Sequence, residues 1–226
     1  MDTRIALFAA VALAGSLALA GPVAAAPLTV TSYSMPNGDG QASGGSYNYW
    51  DVAYTGAGST TTDGAALSGG VGDLTDGVVA TDFWYNTENG AGTGPYVGWY
   101  RPATPDPTIT FNFAGPVTIN GIRVHIDNSN VGGVIAPSKI FIDGADTAFA
   151  APANGTIGFV DFTGLNLTGS SHTLQFQQNG GSWTFVSEIT FDGNAAGVPE
   201  PTAWSLMIAG FGLAGTALRR RRTALV

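Results

Sequence analysis

The sequence predicts an all-β fold, an antiparallel β-sandwich or jelly roll with one apolar helix at each end of the chain, and three observations carry that prediction. Apolar residues between positions 108 and 191 recur with a period of two, the mark of strands that bury one face. Asn-Gly, Asp-Gly, Gly-Gly and Pro-containing turns interrupt the pattern at short intervals. No segment between the two ends repeats its apolar residues every 3.6 positions, as an amphipathic helix would. About eight short strands punctuated in this way pack as two sheets.

Residues 1–25 form the first element. Arg4 opens a short basic region, residues 5–20 are nearly all Ala, Leu, Val and Ile, and small residues run from Val23 to Ala26, the pattern of a secretory signal peptide. Cleavage after Ala25 is favoured over Ala26, because Pro27 is an awkward first residue for signal peptidase; a retained N-terminal anchor is the alternative.

Residues 26–197 follow, about 170 residues, enough for one domain with a sizeable core. Leu28 to Ser34 and Tyr47 to Tyr54 read as strands, and residues 55–72, rich in Gly, Thr, Ser and Ala, as a long loop. Thr108 to Phe113 places Ile109, Phe111 and Phe113 on one face. Ile122, Val124 and Ile126 do the same, with Arg123, His125 and Asp127 opposite. Ile140 to Ile142, Ile157 to Phe162, His172 to Phe176 and Trp183 to Phe191 continue the series, separated by Asn120-Gly121, Asp143-Gly144, Asn154-Gly155 and Gly180-Gly181.

Charge narrows the partners. The chain has 8 Lys and Arg against 16 Asp and Glu, and removing both ends leaves three basic and fourteen acidic residues, a net of −11 for residues 26–197. Only Arg101, Arg123 and Lys139 remain, too few and too scattered for phosphate binding, so nucleic-acid partners are excluded. Cysteine is absent, which removes thiolate nucleophiles and thiolate metal sites and leaves apolar burial alone to hold an exported domain.

The last element is the tail. Ala203 to Leu218 carries no charge, and sixteen residues give a helix of roughly 24 Å, able to span a bilayer core of ~30 Å with some local thinning. Four arginines, Arg219, Arg220, Arg221 and Arg222, follow at once and place the extreme C-terminus in the cytoplasm. A plain tail anchor is the alternative. Pro199-Glu200-Pro201, Trp204, the Gly-rich apolar run and the arginine block come in the order of the PEP-CTERM sorting signal of Gram-negative bacteria, which residues 198–226 resemble. That resemblance implies recognition by an exosortase, cleavage near the Pro-Glu-Pro element and delivery to the cell surface or extracellular matrix, with a membrane helix at about 203–218 before processing.

A second resemblance covers residues 28–193. Leu74-Thr75-Asp76-Gly77, then Thr81 and Trp84, the strands Thr108 to Phe113, Ile119 to Ile126 and Lys139 to Asp143, and Trp183 to Phe191 with Glu188 are similar to discoidin or F5/8 type C domains. Those are galactose-binding-like jelly rolls, many of which hold a structural calcium ion. The resemblance implies Asp76, Thr81 and Glu188 as its ligands, although the step from Asp76 to Trp84 is one residue longer than the usual pattern. Calcium takes six to eight hard oxygens, which two carboxylates, a hydroxyl and loop carbonyls between Asp73 and Ala80 would supply. An ordinary Asp-Gly turn and an exposed strand Glu are the alternative.

Sugar sites pair an aromatic platform with a few polar groups, and the richest such mixture is Tyr85, Tyr96, Trp99, Tyr100 and Arg101. The competing reading puts these aromatics in strand cores. Catalytic signatures are absent from the sequence: His125 and His172 sit on the solvent side of their strand patterns, and neither belongs to a nucleophile elbow or a metal-binding helix motif. The expectation is an exported, noncatalytic surface or matrix protein. A carbohydrate-binding module for extracellular polysaccharide is the alternative, with a polysaccharide-active enzyme behind it.

Overall fold

The computed structural model describes residues 26–40, 45–195 and 205–213. Nine strands form a wholly antiparallel sheet that folds back on itself as a sandwich: β1 (Ala26–Leu28), β2 (Ser32–Pro36), β3 (Ala66–Gly70), β4 (Val97–Tyr100), β5 (Thr108–Asn128), β6 (Lys139–Ile142), β7 (Ala145–Thr147), β8 (Thr156–Gln177) and β9 (Trp183–Ala195). One turn of helix, α1 (Trp84–Thr87), precedes β4.

Two strands carry the architecture. β5 and β8 pair with each other from end to end, and their register breaks between Asn112 and Val117, where both pass from one layer to the other. The first half of β5 pairs with β2 and the second half with β9. One layer thus runs β3, β2, early β5, late β8, β6, β7; the other is late β5 with early β8 and β9, flanked by β1 and β4. Aromatic contacts across the gap close the core. Phe111 meets Phe191 at 4.9 Å and Trp99 meets Phe176 at 6.3 Å between ring centroids.

Period-two patterning located most of these strands but split the long ones. Asn120-Gly121, which reads as a hairpin turn, is a bulge inside β5, where the register slips between Ile119 and Gly121. A bulge and a turn share the same residues because both need a permissive backbone. Asp143-Gly144 is a true two-residue hairpin joining β6 to β7, both residues at positive φ, 49° and 80°. Three local readings are corrected. Residues 47–54 form no strand, with an isolated bridge from Asn48 to Asn89 and backbone hydrogen bonds joining Tyr49 to Asp39 and Gly98, β3 lies within the stretch that reads as loop, and β4 and β7 are strands that the sequence pattern did not single out.

A second, smaller core sits on the outer face of the β4–β9 pair. Alternation sends Val97 and Val186 inward to the main core and Tyr96 and Phe185 outward, where Tyr49, Trp84 and Val134 cover them. Gly98 between them is required: a Cβ there would collide with the Phe185 ring. α1 is the lid of this small core, with Trp84 its one buried residue.

Residues 205–213 are helical and exposed, and no helix among the described residues is long and apolar enough to cross a membrane. The expected span at 203–218 is therefore not supported by the structure. The signal peptide at 1–25 and Pro199, Glu200, Pro201, Trp204 and Arg219 to Arg222 lie outside the described residues.

Candidate functional site

The β1 edge of the sandwich holds a pair of carboxylates. β9 carries Glu188 beside the turn at Asp76-Gly77, and the Gly77 N–H donates to Glu188 Oε2 at 3.0 Å. Asp76 Oδ1 accepts from the Val78 N–H at 2.8 Å, which closes the turn locally. Glu188 is buried, and burial pushes its carboxyl up to about 7; the Gly77 bond opposes that shift and the Asp76 charge adds to it. A groove of about 290 Å³ opens here between Leu28, Thr29 and the Thr75 to Gly77 turn. Thr81 lies in an exposed stretch beyond the turn, and no hydrogen bond among the described residues joins it to Asp76 or Glu188. Two carboxylates with loop carbonyls are hard oxygen donors of the class calcium takes. No group of three or more His, Cys, Asp and Glu suited to a metal occurs among the described residues.

Behind this turn lies more buried acid. Tyr33 donates its hydroxyl to Asp51, and the Asp73 N–H donates to Asp51 Oδ1 at 3.1 Å. Burial raises the carboxyl of Asp73 to about 8, with Asp51, Asp76 and Glu88 adding repulsion.

At the other end of β9 the aromatic residues converge. Tyr85 stands edge-on to Trp84 at 5.6 Å, Trp84 to Tyr49 at 5.8 Å and Tyr49 to Trp183 at 5.0 Å; Trp183 stacks on Tyr100 at 4.9 Å and 26°. Tyr49 and Trp84 are buried, whereas Tyr85, Tyr100 and Trp183 are half-buried at the ends of this band. Of the five residues the sequence nominates as a sugar platform, Tyr85, Tyr100 and Arg101 reach the surface. Trp99 and Tyr96 do not: Trp99 is sealed in the main core with its Nε1–H donated to Pro36 O at 2.9 Å, and Tyr96 is sealed in the small one. Strand alternation is the reason, since Trp99 faces the inner layer and Tyr100 the outer.

Two residues that carried no sequence signal hold this corner, with a third that the sequence placed only in a strand. Asp39, buried, accepts from Tyr100 N–H at 2.6 Å and from Thr104 Oγ1–H at 2.7 Å. Gln178, also buried, donates to Trp99 O at 2.6 Å and exchanges hydrogen bonds with Asp106, accepting from its N–H at 3.0 Å and donating its own N–H to Asp106 Oδ1 at 2.9 Å. Trp183 is the third, beside the Gly180-Gly181 turn. Only its neighbour across the ladder, Tyr100, marks it as part of a platform.

Both histidines are buried rather than solvent-facing. His125 Nδ1 lies 2.7 Å from Ser187 Oγ, and burial lowers its pKa; His172 Nδ1 lies 2.7 Å from Asp143 Oδ2.

Residues 29–148 match the family model described as discoidin domain-containing receptor 1/2, DS-like domain. The chain belongs to that family. Residues 197–222 of this DS-like protein match the PEP-CTERM protein-sorting motif, which marks it as exported. No curated protein matches the sequence. Among solved structures, the DS-like chain is similar to one described for the β-galactosidase BgaA of Streptococcus pneumoniae, with 11% identity, a TM-score of 0.37 and coverage of 53% of this chain and 82% of that one. It is similar to the family 32 carbohydrate-binding module of C. perfringens NanJ in complex with galactose, with 14% identity, a TM-score of 0.31 and coverage of 44% and 79%. It is also similar to a fucolectin from striped bass serum, with 12% identity, a TM-score of 0.34 and coverage of 75% and 79%.

Proposed function

We propose that this DS-like protein is an exported, noncatalytic binder of extracellular glycans, directed to the cell surface or polysaccharide matrix of a Gram-negative bacterium by its C-terminal signal. The observation that carries the reading is the half-buried Tyr100–Trp183 stack at the end of the sandwich farthest from Ala26 and Ala195, the two ends of the described domain. β1 starts at Ala26 beside Gly193, and β9 ends at Ala195 beside Val117, so both ends leave the fold together. Trp183 begins the same strand twelve residues earlier, roughly 40 Å away at a strand's rise per residue. A protein held at its C-terminus, whether by a membrane helix before processing or by an exosortase product afterwards, would present that aromatic end outward.

The test is binding of the full chain to a panel of bacterial and plant polysaccharides by pull-down and titration. Trp183→Ala and Tyr100→Ala are each expected to weaken binding at least about tenfold, the usual cost of truncating a stacking aromatic in a binding surface. Absence of binding to every glycan, with and without calcium, would leave a purely structural matrix role.

Calcium belongs to the same proposal as a structural ion at Asp76 and Glu188, with loop carbonyls completing the shell and Thr81 joining only if its segment turns inward. Millimolar calcium is expected to raise the melting temperature by a few degrees. The effect should grow above pH 7, because Glu188 must give up its proton to bind. Glu188→Gln should abolish it. An identical melting temperature in calcium and in chelator would remove the ion from the proposal.

A further inference from the structure

We infer that the glycan recognised at the aromatic end is a carboxylated one, a uronate-bearing polysaccharide, and that Arg101 is the residue selecting it. The inference rests on the glycan-binding reading above and narrows its ligand class. Residues 26–197 contain three cations, and the other two are already engaged. Arg123 Nε holds Asp161 at 2.6 Å with its guanidinium 4.0 Å over the Phe159 ring, and Lys139 Nζ holds Asp146 at 2.6 Å. Arg101 differs. Its nearest carboxylate is Asp106 Oδ1, 3.7 Å from Nε and beyond hydrogen-bond reach, and that oxygen already accepts the Gln178 N–H. The buried Nε accordingly makes no hydrogen bond.

The backbone that carries Arg101 is held in place from behind. Arg101 N–H donates to Ser182 O at 3.1 Å, and the residue before it is clamped by Asp39. Gly180 lies alongside, and a Cβ there would stand 3.8 Å from Nη1, in ordinary van der Waals contact. The adjacent Tyr100–Trp183 stack offers an apolar surface for a pyranose face, and the guanidinium fork beside it offers paired N–H donors for a carboxylate. Among the described residues, half-exposed Arg101 is the one of the domain's three cations whose side chain makes no hydrogen bond, in a domain with fourteen acids. A neutral sugar needs no such charge, whereas a uronate requires one to offset the surrounding acid.

The experiment compares four ligands on the full chain by titration calorimetry: oligogalacturonate, oligomannuronate, and each of them after reduction of its carboxyls to primary alcohols. At least one uronate is expected to bind about tenfold or more tightly than its reduced form, with an affinity that falls as salt rises. Arg101→Gln should bring the uronate down to the affinity of the reduced ligand, and Arg101→Lys, which keeps the charge and loses the fork, should recover only part of the preference. A retained melting transition separates lost recognition from lost fold. Equal binding of uronate and reduced ligand overturns the inference while the glycan reading stands, as does a uronate preference that survives Arg101→Gln. Binding of neither overturns the inference, and the polysaccharide panel decides the glycan reading separately.

Discussion

Trp99→Ala is expected to destabilise the domain by about 3–5 kcal/mol, the range for removing a large aromatic from a packed core. Trp99 is fully buried, stacks on Phe176 across the sandwich at 24°, and satisfies Pro36 O with its indole N–H. Substitution would open a cavity between the layers and leave that carbonyl without its donor, adding about 1 kcal/mol or more. A domain of this size has roughly 5–15 kcal/mol in total, so the variant should unfold at much lower urea with little change in the slope of the transition. Trp183→Ala, on the half-buried platform, should cost far less. A Trp99→Ala variant within about 1 kcal/mol of the parent would show that the two layers are not closed by this residue.

Stability should fall as pH rises from about 4 to about 8 in calcium-free buffer, the reverse of an acid-sensitive protein. Burial raises Asp73 and Glu88 to about 8 and Glu188 to about 7, and it raises Asp39, Asp51 and Asp127 as well. In the unfolded chain these groups titrate near 4. Between the two values the folded state holds more protons than the unfolded state, so each added pH unit favours unfolding until the folded carboxyls have ionised. The contribution is complete below about pH 4 and lost as pH rises through the folded values.

Glu88 should be the clearest single source of this slope. Its Oε1 accepts the Tyr96 N–H at 2.9 Å, while Oε2 is buried with no hydrogen-bond partner. Glu88→Gln keeps the acceptor and removes the charge, so at pH 9 it should stabilise the domain by about 2 kcal/mol, with no gain below pH 5. Melting temperatures measured from pH 4 to 9 check both expectations. A melting temperature that stays level or rises between pH 5 and 8, or a Glu88→Gln gain independent of pH, would contradict them.

Calcium should act against the same slope, because an ion at Asp76 and Glu188 replaces protons with a charge that the ionised carboxylates favour. The two measurements therefore belong together: a pH profile that flattens in calcium ties the edge carboxylates to the ion, and one that does not leaves Glu188 titrating with the other buried carboxyls.

Legibility in the sequence followed the length scale of each feature. Ile109, Phe111, Phe113, Ile122, Val124 and Ile126 announce their faces by alternation alone, and all six are buried, since a strand's period is set by its own backbone. His125 stood on the polar phase of that pattern and is buried all the same, whereas His172, read as solvent-facing, shares the phase of Leu174 and Phe176 and is buried with them. A strand covered on both faces has no solvent side, and whether a second face is covered depends on segments far away in the chain. The small core under α1, made from Tyr49, Trp84, Tyr96, Val134 and Phe185, is the cover in the case of His125, whose ring lies over Tyr96 at 6.4 Å.

From the sequence alone came the β class, the absence of cysteine, and the sorting motif read at residues 198–226 and matched at 197–222, all properties of composition, period or contiguous order. The tertiary structure decided which aromatics are platform and which are core, separating Tyr100 from its neighbour Trp99, and it brought Asp76 within reach of Glu188 and Trp183 onto Tyr100. Those pairings join residues many positions apart, and sequence periodicity reports which way a side chain turns from its own backbone without reporting what it meets there.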